Sequence, residues 1–161
     1  QIFARDGAIH AVEEAKRQGL IRFVGITGHY DPAILTEGLR RYAFDTLMCS
    51  LNVADRHHRP FQSSLVPEAV QRQTGIIAMK VLAQGLLPEL APPPVTAAKA
   101  IEYVLSLPVS TVIIGCRTPE EVEQNVRIGR AFTPLSPEER AALEESVRPI
   151  ARQLSSFKRS S

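Results

Sequence analysis

Cysteine is scarce in this chain: Cys49 and Cys116 are the only two among 161 residues. Two thiols cannot supply a four-cysteine zinc or iron–sulfur site, nor a disulfide scaffold. Both lie in or beside apolar runs, which predicts buried free thiols in a reducing compartment. Excess charge is missing too, since nineteen basic against seventeen acidic side chains leave +2. The basic residues are scattered and form no dense phosphate footprint, so nucleic acid is not an expected partner. Long apolar runs are absent: "GIIAMKVLAQGLL" (75–87) is broken by a charge and by glycine, and is too short to span a bilayer. The chain opens on Gln1 with neither an initiator Met nor a signal-like segment, so its start does not decide targeting and the true N-terminus is expected to lie upstream; a cytoplasmic location is the working expectation.

What is present is alternation. "DGAIHAVEEAKRQG" (6–19) has helical spacing, with Asp6 as a candidate cap and Gly19 as a stop. "IRFVGIT" (21–27) reads as a buried strand. Asp31-Pro32 opens a second helix ending near Tyr42, followed by the strand "FDTLMCSLN" (44–52). A third helix is predicted over 61–75, with Pro67 as a turn or kink, and a third strand over 75–82. After the proline-rich loop "PELAPPP" come a helix over 95–107 and the strand "STVIIGC" (110–116). Thr118-Pro-Glu-Glu and Ser136-Pro-Glu-Glu each predict a capping box, in which hydroxyl and glutamate satisfy each other's main-chain N–H groups. The tail "SSFKRSS" is predicted to be polar and frayed.

Strands that alternate with helices and are apolar throughout imply a parallel sheet covered by helices. Four such units make a small open sheet or half of an eight-stranded barrel. No G-x-G-x-x-G follows any strand, which argues against a Rossmann domain.

In either architecture ligands gather at the carboxyl ends of the strands. Those ends read "GITGH", "SLN", "AMKVLAQG" and "IGCRTPE". They offer hydroxyl, amide, lysine and arginine groups suited to a polar, phosphate-bearing ligand, with no converging carboxylate pair and no Ser-His-Asp set. Gly115-Cys116-Arg117 reads either as an ordinary strand-to-helix loop or as an anion site. Glu120 and Glu121 occupy the first helical turn and repel an axial phosphate, which leaves Arg117 as its anchor. Lys80 is a candidate Schiff-base lysine or a ligand-pairing one. His29 faces a ligand or water. Asp55, His57 and His58 form a weak metal pattern, because adjacent histidines diverge. Cys116 lies at a helix start that lowers a thiol pKa, but the two glutamates oppose this and favour an inert thiol.

In order, "GLIRFVGITGH", "FDTLMCSLNVAD", "GIIAMKVLAQGLL" and "VSTVIIGCRTPEEVEQN" resemble the fifth to eighth barrel strands of the aldo-keto reductases. "FTPLSPEERAALEE" resembles the segment that follows them. The resemblance spans residues 8–147 and implies half of a TIM-type (β/α)8 barrel with a C-terminal helix. Residues 1–150 would form the partial barrel domain and 151–161 a polar tail. The family transfers hydride from NADP(H) to a small carbonyl substrate. The resemblance implies that Thr27 and Asn52 meet the nicotinamide carboxamide, that Gly28 borders the cofactor beside them, and that Leu82 to Gly85 line the pyrophosphate. Gly115, Cys116 and Arg117 would meet the phosphate on the adenosine ribose, with Glu121, Gln124 and Asn125 at the adenine end. Gly28, Met48 and Met79 depart from residues common in the family. Its catalytic tetrad belongs to the first half of the barrel, so this chain alone is expected to be inactive. A half-barrel leaves two open edges and a bare apolar face, which predicts self-association. A non-catalytic α/β nucleotide- or phosphate-binding domain and a Lys80 Schiff-base enzyme are the alternatives.

Overall fold

The structure, a computed structural model, describes residues 2–158. The elements run α1 (Ala8–Arg17), β1 (Gly25–Gly28), α2 (Pro32–Arg41), β2 (Thr46–Ser50), α3 (Phe61–Ser64), α4 (Val66–Gln71) and β3 (Gly75–Met79). They continue with α5 (Leu86–Leu90), α6 (Ala97–Leu105), β4 (Thr111–Val112), α7 (Pro119–Arg130), α8 (Pro137–Val147) and α9 (Ala151–Leu154). The four strands form one parallel sheet in the order β1-β2-β3-β4. Among the described residues, no helix is long and apolar enough to cross a membrane.

Local chemistry sets most boundaries. Asp31 accepts from the Ala33 N–H at 2.9 Å and caps α2, with Pro32 at the helix start. Ser136 and Glu139 form the reciprocal box expected for α8, at 3.1 and 2.7 Å. The box expected at α7 is only half formed. Thr118 accepts from the Glu121 N–H, but the Glu121 carboxylate reaches past the cap residue to the Arg117 N–H at 2.6 Å. At α1 the cap position is Gly7 rather than Asp6, with no side-chain bond to the helix. The helix predicted over 61–75 breaks at Leu65 into α3 and α4, with Pro67 in the first turn of the second piece. Part of the proline-rich loop forms the short α5. The strands are shorter than their apolar runs, and β4 pairs only Thr111 with Ile77 and Val112 with Ala78.

The two faces of the sheet differ sharply. Leu47, Cys49, Ile76 and Ala78 point toward the helices and are buried. On that face Gly28 stands where an added Cβ would lie 3.2–3.3 Å from Leu35 of α2, and Gly38 of α2 leaves room for Ile26. The opposite face carries the register row Thr27, Met48, Ile77 and Thr111, of which Thr27 and Thr111 are exposed and Met48 and Ile77 half-buried, with no helix over it among the described residues. Ile113, which shares that face by alternation, remains 49% exposed. The whole chain exposes 9616 Å² at a mass of 17.7 kDa. A compact monomer of that mass exposes about 7,900 Å². The surplus of roughly 1,700 Å² accords with a fold that is open along one face and two edges.

Two expectations are corrected. Cys49 is buried, but Cys116 is exposed, because β4 is an edge strand and its end has no neighbour on the outer side. The C-terminal segment does not fray over its described part: Leu154, Ser155 and Lys158 are all buried. Lys158 Nζ binds the Asp55 carboxylate and donates to the carbonyl oxygens of His58 and Arg59 at 2.9 and 3.0 Å. A polar composition was misleading here, because a lysine is tolerated inside once an ion pair and two carbonyls satisfy its ammonium. Residues 159–161 of the predicted tail lie outside the described residues.

Candidate functional site

All four strands run the same way, so their carboxyl ends line one rim of the sheet. Thr27 and Gly28 end β1, and Asn52 follows β2. Lys80 and the turn Ala83–Gly85 follow β3, and Gly115, Cys116 and Arg117 follow β4. The predicted residues therefore lie in sheet order along one edge. With about 4.8 Å between strands, the rim spans roughly 14 Å from β1 to β4.

At the β1–β2 end, Thr27 is exposed on the uncovered face. Gly28 lacks a side chain on the helix side, where Leu35 fills the space, so only its main chain is available to a ligand. Asn52 is 1% exposed and already engaged: its Nδ2 donates to the Lys80 carbonyl at 3.2 Å, and its Oδ1 accepts from the Ala54 N–H at 2.9 Å. These bonds tie the end of β2 to the end of β3. One group that the sequence reading missed lies beside it. The Ser50 hydroxyl is buried without a hydrogen-bond partner among the described residues, which leaves it available to a ligand or a water.

At β3 the backbone turns sharply. Lys80, Ala83, Gln84 and Gly85 all have positive φ, at 59°, 50°, 61° and 92°. Successive turns of this kind direct N–H groups toward one side, as in anion-binding loops. Two of those N–H groups are already used, Ala83 to the Lys80 carbonyl and Gly85 to the Leu82 carbonyl. Leu82 is half-buried against the core.

At β4 the structure gathers the remaining predicted residues. The Arg117 side chain is 91% exposed, with one guanidinium nitrogen 3.7 Å from the Glu121 carboxylate. Cys116, Arg117, Thr118, Pro119, Val122 and Glu123 line an open depression. Asn125 Nδ2 donates to Cys116 Sγ at 3.2 Å, and Gln124 is exposed one residue before it. Because Glu121 holds the Arg117 N–H, an anion here would meet the guanidinium rather than that amide.

The loop after β2 is braced from two sides. Asp55 accepts from the N–H groups of Phe61 and Gln62 as well as from Lys158. Burial pushes its carboxyl above the usual range, against the pull of Lys158. Nearby, Glu144 of α8 accepts from Arg56 at 2.9 Å and from the Tyr103 hydroxyl at 2.6 Å, and its carbonyl meets His57 Nε2 at 2.8 Å. Burial, reinforced by Glu144, drives the Tyr103 phenol well above its ordinary value. Asp55 and His57 thus face different partners, and no group of three or more metal-ligating side chains forms among the described residues. His29 and Lys80 instead flank Phe157, whose ring centroid is 6.5 Å from the imidazole and 6.0 Å from Lys80 Nζ.

No protein-family model matches the chain. Its sequence is 25% identical over 176 residues to the uncharacterized oxidoreductase YqkF of Bacillus subtilis, covering 89% of this chain and 56% of that protein. Its fold is similar to the aldo-keto reductase AKR11C1 of Bacillus halodurans in its holo form. That match has a TM-score of 0.71 and 25% identity, and covers 88% of this chain and 56% of the other. The glycerol dehydrogenase AKR11B4 of Gluconobacter oxydans shares the fold at 18% identity, with a TM-score of 0.64 and 86% and 52% coverage. The chain spans about half the length of the relatives it matches. These likenesses and the parallel sheet identify the aldo-keto reductases as relatives of this chain, whose fold corresponds to part of their barrel.

Proposed function

We propose that this chain forms the NADP(H)-binding portion of a carbonyl-reducing oxidoreductase. The observation that carries this reading is the ordered rim: an amide and hydroxyl end at β1–β2, a turn with positive φ at β3, and an exposed, loosely paired arginine at β4. Thr27, the Gly28 main chain and Asn52 hold the nicotinamide carboxamide. The loop Leu82 to Gly85 follows the pyrophosphate. Arg117, with Gly115 and Cys116 beside it, grips the ribose phosphate, and Glu121, Gln124 and Asn125 border the adenine. The unpartnered Ser50 hydroxyl supports a polar group at the β2 end. Arg117 is suited to the phosphate because its fork presents paired donors and its charge is only loosely paired within the chain.

The cofactor, when bound, supplies the hydride for carbonyl reduction. These residues orient it along the rim, while the proton donor and the small carbonyl substrate's pocket come from a segment other than these strands. The chain by itself therefore binds without turnover.

Titration with NADPH and NADH, repeated with Arg117→Ala, tests the assignment. Removing a charge-assisted pair of hydrogen bonds weakens NADPH binding by about 10- to 100-fold, taken as 1.5–3 kcal/mol, and leaves NADH nearly unchanged. Equal affinity for the two cofactors in the parent chain removes the ribose-phosphate assignment and leaves a general nucleotide-binding domain.

A further inference from the structure

We propose that residues 155–158 form a strap that closes the nicotinamide end of the site and that cofactor binding displaces. The proposal rests on reading the rim as a dinucleotide site. The Phe157 ring neighbours His29, the residue after β1, and Lys80, the residue after β3. In the sheet β2 lies between those strands, so the ring crosses the end of β2. There Ser50 and Asn52 are almost wholly buried, although helices cover only one face of the sheet. The strap thus stands where the carboxamide would bind.

Lys158 anchors it. Its ammonium is enclosed by the Asp55 carboxylate and the carbonyl oxygens of His58 and Arg59. A buried pair of this kind favours one geometry while contributing little net free energy, because desolvation offsets the attraction. The closed state also carries strain. Arg59, whose carbonyl binds Lys158, and Lys80, which stands over Phe157, both hold left-handed backbone conformations, at φ 45° and 59°. The hydroxyls of Ser50 and Ser155 are buried without partners among the described residues. Release lets Ser155 reach water and Ser50 reach the ligand, so the open state gains hydrogen bonds that the closed state lacks.

The chain has no tryptophan, so Phe157→Trp places a single tryptophan on the strap, excited selectively over the tyrosines. On NADPH addition, energy transfer to the reduced nicotinamide reports binding, while the emission maximum and acrylamide quenching report the strap. The expected result is a loss of emission together with a red shift and a severalfold rise in acrylamide accessibility. Loss of emission with unchanged accessibility overturns the strap and leaves the cofactor reading intact. No response to NADPH overturns the cofactor reading and, with it, displacement. Adding Lys158→Met to this background should raise accessibility before any cofactor is present and tighten NADPH binding, since a closed fraction no longer lowers the apparent affinity. If that variant loses its helical circular dichroism, Asp55→Asn with Lys158→Met removes both charges and gives the same readout. Unchanged accessibility in the folded variant also overturns the anchor.

Discussion

Replacing Lys158 by methionine keeps most of the side-chain volume but removes the charge that faces Asp55. Both side chains of the pair are 0% exposed, so the substitution leaves a carboxylate in a dry site, together with two carbonyl oxygens that have lost a donor. Breaking a buried pair from one side costs about 3–5 kcal/mol, a large share of the roughly 5–15 kcal/mol that stabilises a whole domain. If the strap detaches instead, water reaches Asp55 and the loss is limited to the apolar burial of the half-buried Phe157, at most about 1.5–3 kcal/mol. With a urea slope of about 1–3 kcal/mol/M, a loss of about 3 kcal/mol lowers the midpoint by roughly 1–3 M. Circular dichroism in urea measures this directly. The pH dependence provides a second check. Burial already raises the Asp55 carboxyl above its ordinary value, and Lys158 partly counters that rise. Without Lys158 the folded-state pKa climbs further above the unfolded value. A group raised in this way stabilises the fold while protonated, below its unfolded pKa, and loses that contribution as pH rises through the folded one. The deficit of Lys158→Met relative to the parent is therefore greatest above the raised folded-state pKa of Asp55 and narrows as pH falls through it. Equal midpoints at neutral pH would refute the assignment of Lys158 as the partner of a buried carboxylate, whereas a deficit that ignores pH identifies the detached strap with a hydrated Asp55.

Three further outcomes follow from the same geometry. The bare sheet face and the surplus of exposed area predict self-association, which analytical ultracentrifugation will register as a species heavier than 17.7 kDa; a stable monomer at all concentrations contradicts it. Thiol labelling should modify Cys116 at once and Cys49 only on unfolding, because Cys49 is enclosed and burial pushes its thiol up to about 12; two fast equivalents would disprove that placement. Gly28→Ala drives a methyl to within 3.2 Å of Leu35 and is expected to destabilise by about 1–3 kcal/mol through overpacking, whereas an unchanged urea midpoint would mean that α2 moves freely over β1.

Much of the fold was legible because its signals are local. Asp31-Pro32 and Ser136-Pro-Glu-Glu specify helix starts through hydrogen bonds spanning two or three residues, and both starts stand where the sequence places them. Strand ends were less legible. A branched apolar run records burial, whereas a ladder needs a neighbour, and β4 finds one over two residues only. At the candidate site the order of polar groups could be read directly, because parallel strands bring their carboxyl ends to one rim. How those groups are engaged could not be read. Asn52 bonds a carbonyl 28 residues away, and Glu121 passes over its expected partner to hold the Arg117 N–H.

The sequence by itself determined the alternation of strand and helix, the parallel sheet and the sequence of chemical groups along its rim, because periodicity and capping act within a few residues. Tertiary structure alone decided which face stayed bare, which cysteine stayed exposed and where the C-terminal residues settled. Lys158 is an ordinary surface residue by composition. It becomes an interior one only when Asp55, 103 positions earlier, is folded into place to receive its charge.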